Sequence, residues 1–540
     1  MFLLSSSTIL LIIIVAYFIL LLGVAFYTAR GSNNESFFVG NRSSKWWLVA
    51  FGMIGTSLSG MTFISVPGTV GQGAFGYFQV VLGYWIGYFI VSYILLPVYY
   101  KMQLTSIYTY LEKRLGNGAH KTGAFFFILS RTLGATIRLY LVIKVLELFV
   151  LGNLGISFEI TAIVILGLIL LYTFKGGVKT IVWTDTLQTT FMLLALIVSI
   201  IFLLNNLNIG LTEAYAVMQQ KAMTNVFATD VMKGNFFLKE IIGGMVITIA
   251  MTGLDQEMMQ KNISVSNLKD SQKNMVVMGT LQMIVVFIFL FLGGLLYMYA
   301  IQNGAGYEEI VKDGIISKQI VWNGSVLKAD DIFPQIAINS GLPFILTICF
   351  IVGLISALFP SADGALTALT SSFCIDILGM NKQKEAMESA GIAASTIEHK
   401  LSKKRLRVHY SFAVIFLLCV FFFREVDNGS LITLLLKLAG FTYGPLLGLF
   451  AFGLITKRTL KWEKSPLIIC IIGMFFTLVL DIVNNYEWYI KQFGWSGELS
   501  NILQQWSINI FGGYKIGVEL LLINAIFTFL ILFINSKKLK

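Results

Sequence analysis

The chain has 540 residues, 56% of them hydrophobic and 12% charged, with a mean hydropathy of +0.80 and a net charge of +11. Soluble domains carry roughly 25% charged residues, so this composition excludes a soluble enzyme. Apolar runs able to cross roughly 30 Å of hydrocarbon recur from end to end, so residues 1–540 read as one all-α polytopic membrane domain.

In chain order, about thirteen apolar segments stand out, at 5–28, 46–70, 76–100, 121–150, 158–174, 180–204, 238–257, 275–300, 343–375, 408–423, 430–456, 465–484 and 517–536. No basic residue precedes the first, and no small-residue cleavage site follows it, so it reads as a retained helix rather than a signal peptide. The longest loops, 205–237, 301–342, 376–407 and 485–516, show no periodicity of a separate module. If the N-terminus lies outside, loops 29–45, 101–121, 175–179, 258–274, 376–407, 457–464 and 537–540 face inward and hold 26 of the 39 Lys and Arg. Seven of these lie in 376–407. This bias predicts an inner (plasma) membrane protein with its N-terminus outside and its C-terminus cytoplasmic. Lipid headgroups are a sufficient partner for the basic face, and no nucleic acid is expected.

Cys349, Cys374, Cys419 and Cys470 fall within apolar segments and imply no disulfide scaffold. His120, His399 and His409 lie in or next to inward loops, so no haem pair or intramembrane histidine relay is expected. Neither a cofactor nor a catalytic centre is predicted, since no His/Asp or Ser/His cluster sits at depth.

An ionisable group at membrane depth costs at least about 2.5–3.5 kcal/mol, so each needs a reason. Arg131 and Arg138 are seven residues apart on one face of the fourth segment. They either pair with carboxylates of other helices or recognise an anion with the guanidinium fork. Lys144 and Glu147 read as a structural pair on the outer turn. Two segments carry glycine and hydroxyl interruptions at corresponding places, Gly55-Thr56-Ser57-Leu58-Ser59-Gly60-Met61-Thr62 in 46–70 and Gly243-Gly244 with Thr252-Gly253-Leu254-Asp255-Gln256-Glu257 in 238–257. That pattern marks the midplane site of transporters built from inverted repeats, where unwound backbone offers carbonyls to cations.

Four stretches resemble the sodium:solute symporter family, whose members include sodium/galactose, proline, iodide, multivitamin and sialic acid carriers. They are Ser36-Phe37-Phe38-Val39-Gly40-Asn41-Arg42, Leu104-Thr105-Ser106-Ile107-Tyr108-Thr109-Tyr110-Leu111-Glu112-Lys113-Arg114, Gly176-Gly177 with Val182-Trp183-Thr184-Asp185-Thr186-Leu187-Gln188, and Gly444-Pro445-Leu446-Leu447-Gly448-Leu449-Phe450. The resemblance implies the five-plus-five inverted-repeat fold of the leucine transporter. One extra helix (5–28) would precede repeats at 46–204 and 238–456, and two C-terminal helices (465–536) would follow. It further implies sodium-coupled symport of a small organic solute into the cell, with sodium as the coupling ion. A proton-coupled carrier and a transporter-like membrane sensor are the alternatives.

Carried over residue by residue, the resemblance places a sodium site at the carbonyls of Gly55, Leu58 and Ala357 and the hydroxyl of Ser361. Pro360 stands where a second hydroxyl is expected, and it frees the Ser356 carbonyl of its helical partner. Substrate contacts would fall on Ser57, Ser59, Thr62, Arg138, Asp255 and Gln256. A guanidinium beside the pocket implies a carboxylate or other anionic solute, unless Asp255 neutralises it and leaves a neutral polyol or a zwitterion. A second sodium site in the family uses the equivalent of Asp185 and hydroxyls that map to Pro360, Asp363 and Gly364. With a carboxylate at 363, Asp185 and Asp363 are expected to approach each other and form either a second sodium site or a proton-binding pair.

Overall fold

The computed structural model describes residues 6–538 apart from 313–314, 323, 340, 427–430 and 496–497. Its membrane helices are α1 (Ser6–Thr28), α2 (Trp46–Gly73), α3 (Phe78–Lys101), α4 (Asn117–Leu154), α5 (Phe158–Thr173), α6 (Gly177–Leu207), α7 (Phe237–Ile263), α8 (Leu268–Gln302), α9 (Phe344–Ile377), α10 (Ala394–Val426), α11 (Leu431–Ile455), α12 (Ser465–Asn484) and α13 (Leu520–Ile534). Among the described residues eight helices are long and apolar enough to cross a membrane without interruption. Of the others, α2 is bent by 55° and α7 by 64°, α4 meets α5 at 113°, and α13 is a shorter apolar helix of 15 residues.

Both predicted interruptions are real breaks. In α2 the chain leaves helical geometry at Ser59 (φ 51°, ψ 167°). A non-glycine residue held there costs about 1–3 kcal/mol and persists only where its surroundings over-determine it. In α7 a widened turn at Ile249–Gly253 ends at Leu254, and Asp255 caps the new helix Gln256–Ile263 by accepting hydrogen bonds from the amides of Glu257 and Met258.

The predicted inward loops gather at one end of the bundle. Arg42 donates to the carbonyl of Leu104 (3.0 Å), Lys179 to that of Arg30 (3.1 Å), and Arg405 to the Asn34 side chain (2.7 Å). Ser44 bridges to Val265, and Arg458–Leu460 pairs with Ser536–Lys538 in a two-stranded sheet. Lys382 binds Glu112 at 2.7 Å and by that hydrogen bond holds the Glu112 carboxyl below its ordinary range. His120 and His409 are structural: His120 Nε2 meets Asp376 at 2.9 Å, and His409 lies buried between Thr173 (3.0 Å) and Thr370 (2.9 Å).

The loops hold more structure than their composition predicts. Loop 301–342 contains an antiparallel sheet, Gly306–Lys312, Ile315–Trp322 and Ser325–Val326, and loop 485–516 contains helices Tyr486–Phe493 and Glu498–Phe511. Helix α10 starts at Ala394, so much of the basic stretch before residue 408 is helical. All four cysteines are free thiols.

Glycine permits a close backbone approach between α3 and α7. A Cβ at Gly83 would lie 2.1 Å from the Ile241 carbonyl oxygen, and one at Gly244 would lie 2.2 Å from that of Val80. Since backbone cannot yield as a side chain can, Gly244→Ala is expected to lower stability in detergent by about 1–3 kcal/mol. Gly167→Ala, whose Cβ meets no atom within 4 Å, should leave it unchanged. Thermal unfolding of the two variants makes the comparison.

Candidate functional site

The break in α2 opens on a cavity of about 100 Å³ walled by α2, α3, α4, α7, α8 and α11. Four of the predicted substrate residues, Ser57, Ser59, Thr62 and Arg138, line it, together with Arg131, Tyr77, Tyr84, Tyr88, Thr252 and Gln282. Ser57 donates to Gln282 Oε1 at 2.8 Å, and Tyr88 donates to the same atom at 2.6 Å, so this polar wall is braced before any solute arrives.

The two arginines differ. Arg131 is buried and ion-paired with Glu257, and its second nitrogen lies 3.9 Å from Asp255. Arg138 has no ion pair or hydrogen bond among the described residues, although Glu257 and Asp255 lie within its Coulombic reach, and the Nε atoms of both arginines are buried without partners. A guanidinium without an ion pair beside a cavity can receive an anion through its fork of donors.

Asp255 and Gln256 do not line the cavity, which corrects the expectation that they contact substrate. Asp255 is a helix cap that also accepts from Tyr443 (2.8 Å) and faces Arg131. The Gln256 side chain is spent on the inward loop, donating to the carbonyl of Thr105 (2.9 Å) and accepting from the amide of Ile107 (3.0 Å). Tyr99 and Tyr108 cap the carbonyls of Gly253 and Leu254, each at 2.8 Å. The break in α7 is thereby satisfied by protein.

At the proposed sodium site, α2 packs against α9 and α6. A Cβ at Gly55 would lie 3.6 Å from the Pro360 ring, and one at Gly60 would lie 3.8 Å from the Leu358 backbone. The Gly55 amide donates to Thr189 Oγ1 at 3.1 Å. Ser361 Oγ, Asp185 Oδ1 and both polar atoms of the Gln188 amide are buried without partners. Helices α6 and α9 run antiparallel, and Gly353 packs on Ala195. Stepping along both helices from that contact brings Pro360 level with Gln188 and Asp363 level with Asp185. Gln188 is therefore a candidate ligand that motif reading passed over, although it lies in a quoted stretch.

Beside Asp185 stands a residue that hydropathy misassigns. Lys261 counts among the basic residues of loop 258–274, yet it is only 2% exposed. Its ammonium lies 2.7 Å from Asp185 Oδ2, 3.3 Å from Glu257 Oε1 and 2.7 Å from Thr56 Oγ1, which in turn donates to Asp185 (3.1 Å). Asp363 lies within Coulombic reach of both Asp185 and Lys261, and it accepts from the Tyr172 hydroxyl at 2.8 Å. The readable signal for Lys261 is its i,i+4 spacing from Glu257 directly after the break.

Comparison with known proteins places this geometry. The family model "Sodium:solute symporter family" matches residues 37–461. The sodium/sialic acid symporter SiaT of Proteus mirabilis is 22% identical over 80% of this chain and 82% of its own length. Sodium/glucose cotransporter 1 of Mus musculus is 23% identical over 85% of this chain and 74% of its own. A sodium-coupled sialic acid symporter solved in a substrate-bound, outward-open state superposes with a TM-score of 0.74 at 18% identity, covering 99% of this chain and 100% of that one. A nucleobase-cation-symport-1 family transporter in a closed conformation gives 0.51 at 11% identity, covering 91% and 98%. The fold is therefore that of leucine-transporter-type sodium symporters. These relatives are transporters, not enzymes.

Glu257 holds Arg131 with one oxygen and Lys261 with the other, so Glu257→Gln leaves two buried cations short of charge. It is expected to cost about 3–5 kcal/mol of stability. Arg138→Gln removes no internal pair and should leave the melting temperature in detergent unchanged. Equal losses in the two variants contradict this division of roles.

Proposed function

The chain belongs to the sodium:solute symporter family, and on that premise we propose that it carries a small carboxylate-bearing solute into the cell with sodium by alternating access. The observation that carries this reading is the pairing of Arg131 with Glu257 and Asp255 while Arg138 stays unpaired on the cavity wall. Asp255, which a neutral-solute reading needs on the substrate arginine, is committed to Arg131, Tyr443 and the cap of α7. Ser57, Ser59 and Thr62 add hydroxyls for the polar remainder of such a solute. The matched sialic acid symporters make sialic acid the first compound to test.

Sodium would bind through the carbonyls of Gly55, Leu58 and Ala357 and the hydroxyl of Ser361. The partnerless state of that buried hydroxyl supports the assignment, and a hard cation suits an all-oxygen set. The N-terminus is placed outside and the C-terminus in the cytoplasm, so that the gathered basic end faces anionic lipid.

In proteoliposomes, uptake of radiolabelled sialic acid should follow an inward sodium gradient. It should fall about 10- to 100-fold in Arg138→Gln, the loss expected of a charged hydrogen bond worth about 1.5–3 kcal/mol. Ser361→Ala should raise the sodium concentration needed for half-maximal uptake. Uptake that follows a proton gradient and ignores sodium overturns the coupling, and unaltered uptake by Arg138→Gln overturns the solute site. For topology, reporters fused after Lys404 should be active only when the reporter works in the cytoplasm, and activity confined to a periplasmic reporter reverses the orientation.

A further inference from the structure

Asp185, Asp255, Glu257 and Asp363 place four carboxyl groups in the bundle interior, each no more than 2% exposed. Arg131 answers Asp255 and Glu257, and Lys261 answers Asp185 and Glu257. The Lys261 ammonium thus stands on Asp185 Oδ2, Glu257 Oε1 and Thr56 Oγ1, with Asp363 in Coulombic reach, in the place a free cation held by those oxygens would take. We propose that Lys261 is a built-in counter-cation that occupies this second cation position, so that the chain binds a single sodium ion, and that removing the ammonium turns the position into a sodium site. The inference rests on the sodium coupling proposed above.

Three features support it. Asp363, buried and within Coulombic reach of both Asp185 and Lys261, adds a further negative charge that the ammonium helps to offset. Glycine at 364 also makes room, since a Cβ there would come within 2.2 Å of Glu257 Oε1 and 3.1 Å of Lys261 Nζ. Finally, the ammonium is tethered. It meets Asp185 as an intramolecular partner, whereas sodium must be drawn from solution and stripped of water, so the tethered cation wins the position. Because it ties Thr56 of α2, Asp185 of α6 and Glu257 of α7, the ammonium supplies a permanent charge where an exchangeable ion would come and go.

Equilibrium binding of radioactive sodium to the purified full chain tests this. Wild type should bind one sodium ion per chain, and Lys261→Arg, which keeps the cation, should bind the same. Lys261→Ala should bind about twice as much at saturation, through a second site rich in carboxylate oxygens. Two sodium ions on wild type, or an unchanged single site on folded Lys261→Ala, overturn the inference. If Lys261→Ala does not yield monodisperse protein, wild type and Lys261→Arg decide it: one ion on each upholds the inference, and two on either overturns it. Failure of the underlying reading looks different. No sodium on wild type, with sodium binding appearing in Lys261→Ala, overturns the proposed sodium coupling while upholding Lys261 as the counter-cation, and none on either protein overturns both.

Discussion

The Glu257 carboxylate is the interaction on which the site depends. One oxygen takes Arg131 from the solute cavity, and the other takes Lys261 from the ion region. A carboxylate, a guanidinium and an ammonium buried separately would each carry a desolvation penalty of several kcal/mol, which only mutual pairing and further hydrogen bonds offset. Placing Glu257 and Lys261 one turn apart on a short helix, immediately beyond a chain break, lets one rigid piece present both groups.

The cavity takes its character from what this network leaves out. With Arg131 neutralised by Glu257 and Asp255, Arg138 remains the cation facing the cavity without a partner among the described residues. The proposed preference for an anion rests on this distribution of partners: two arginines on one helix face, one ion-paired by protein and one without an ion pair among the described residues. The same economy holds at the breaks. Tyrosine hydroxyls satisfy the carbonyls exposed in α7, whereas α2 opens beside buried oxygens of Ser361, Asp185 and Gln188 that have no protein partner.

Much of the fold was legible. Apolar runs of membrane length need only backbone self-satisfaction to become helices, and the breaks at 55–62 and 252–257 were visible because glycines and hydroxyls interrupt otherwise apolar segments. Lys261 was not legible by hydropathy. The helix Gln256–Ile263 is polar in sequence yet buried along its whole length, so a reading that equates polarity with loop places its lysine outside the membrane. Asp255 and Gln256 were assigned by position in a motif. Their partners, Arg131, Tyr443 and the Thr105–Ile107 backbone, lie about 120 to 190 residues away and are joined to them only by the fold. The sheet at 306–326 escaped because it sits in a polar loop between long apolar helices, where composition reads as connection.

The division between Arg131 and Arg138 is tested most directly by the structure of the solute-loaded protein in sodium. The account predicts the solute's anionic group within hydrogen-bonding distance of the Arg138 guanidinium, with Arg131 still on Glu257. A solute carboxylate bound to Arg131 with Glu257 released, or a solute seated without contact to Arg138, would contradict it.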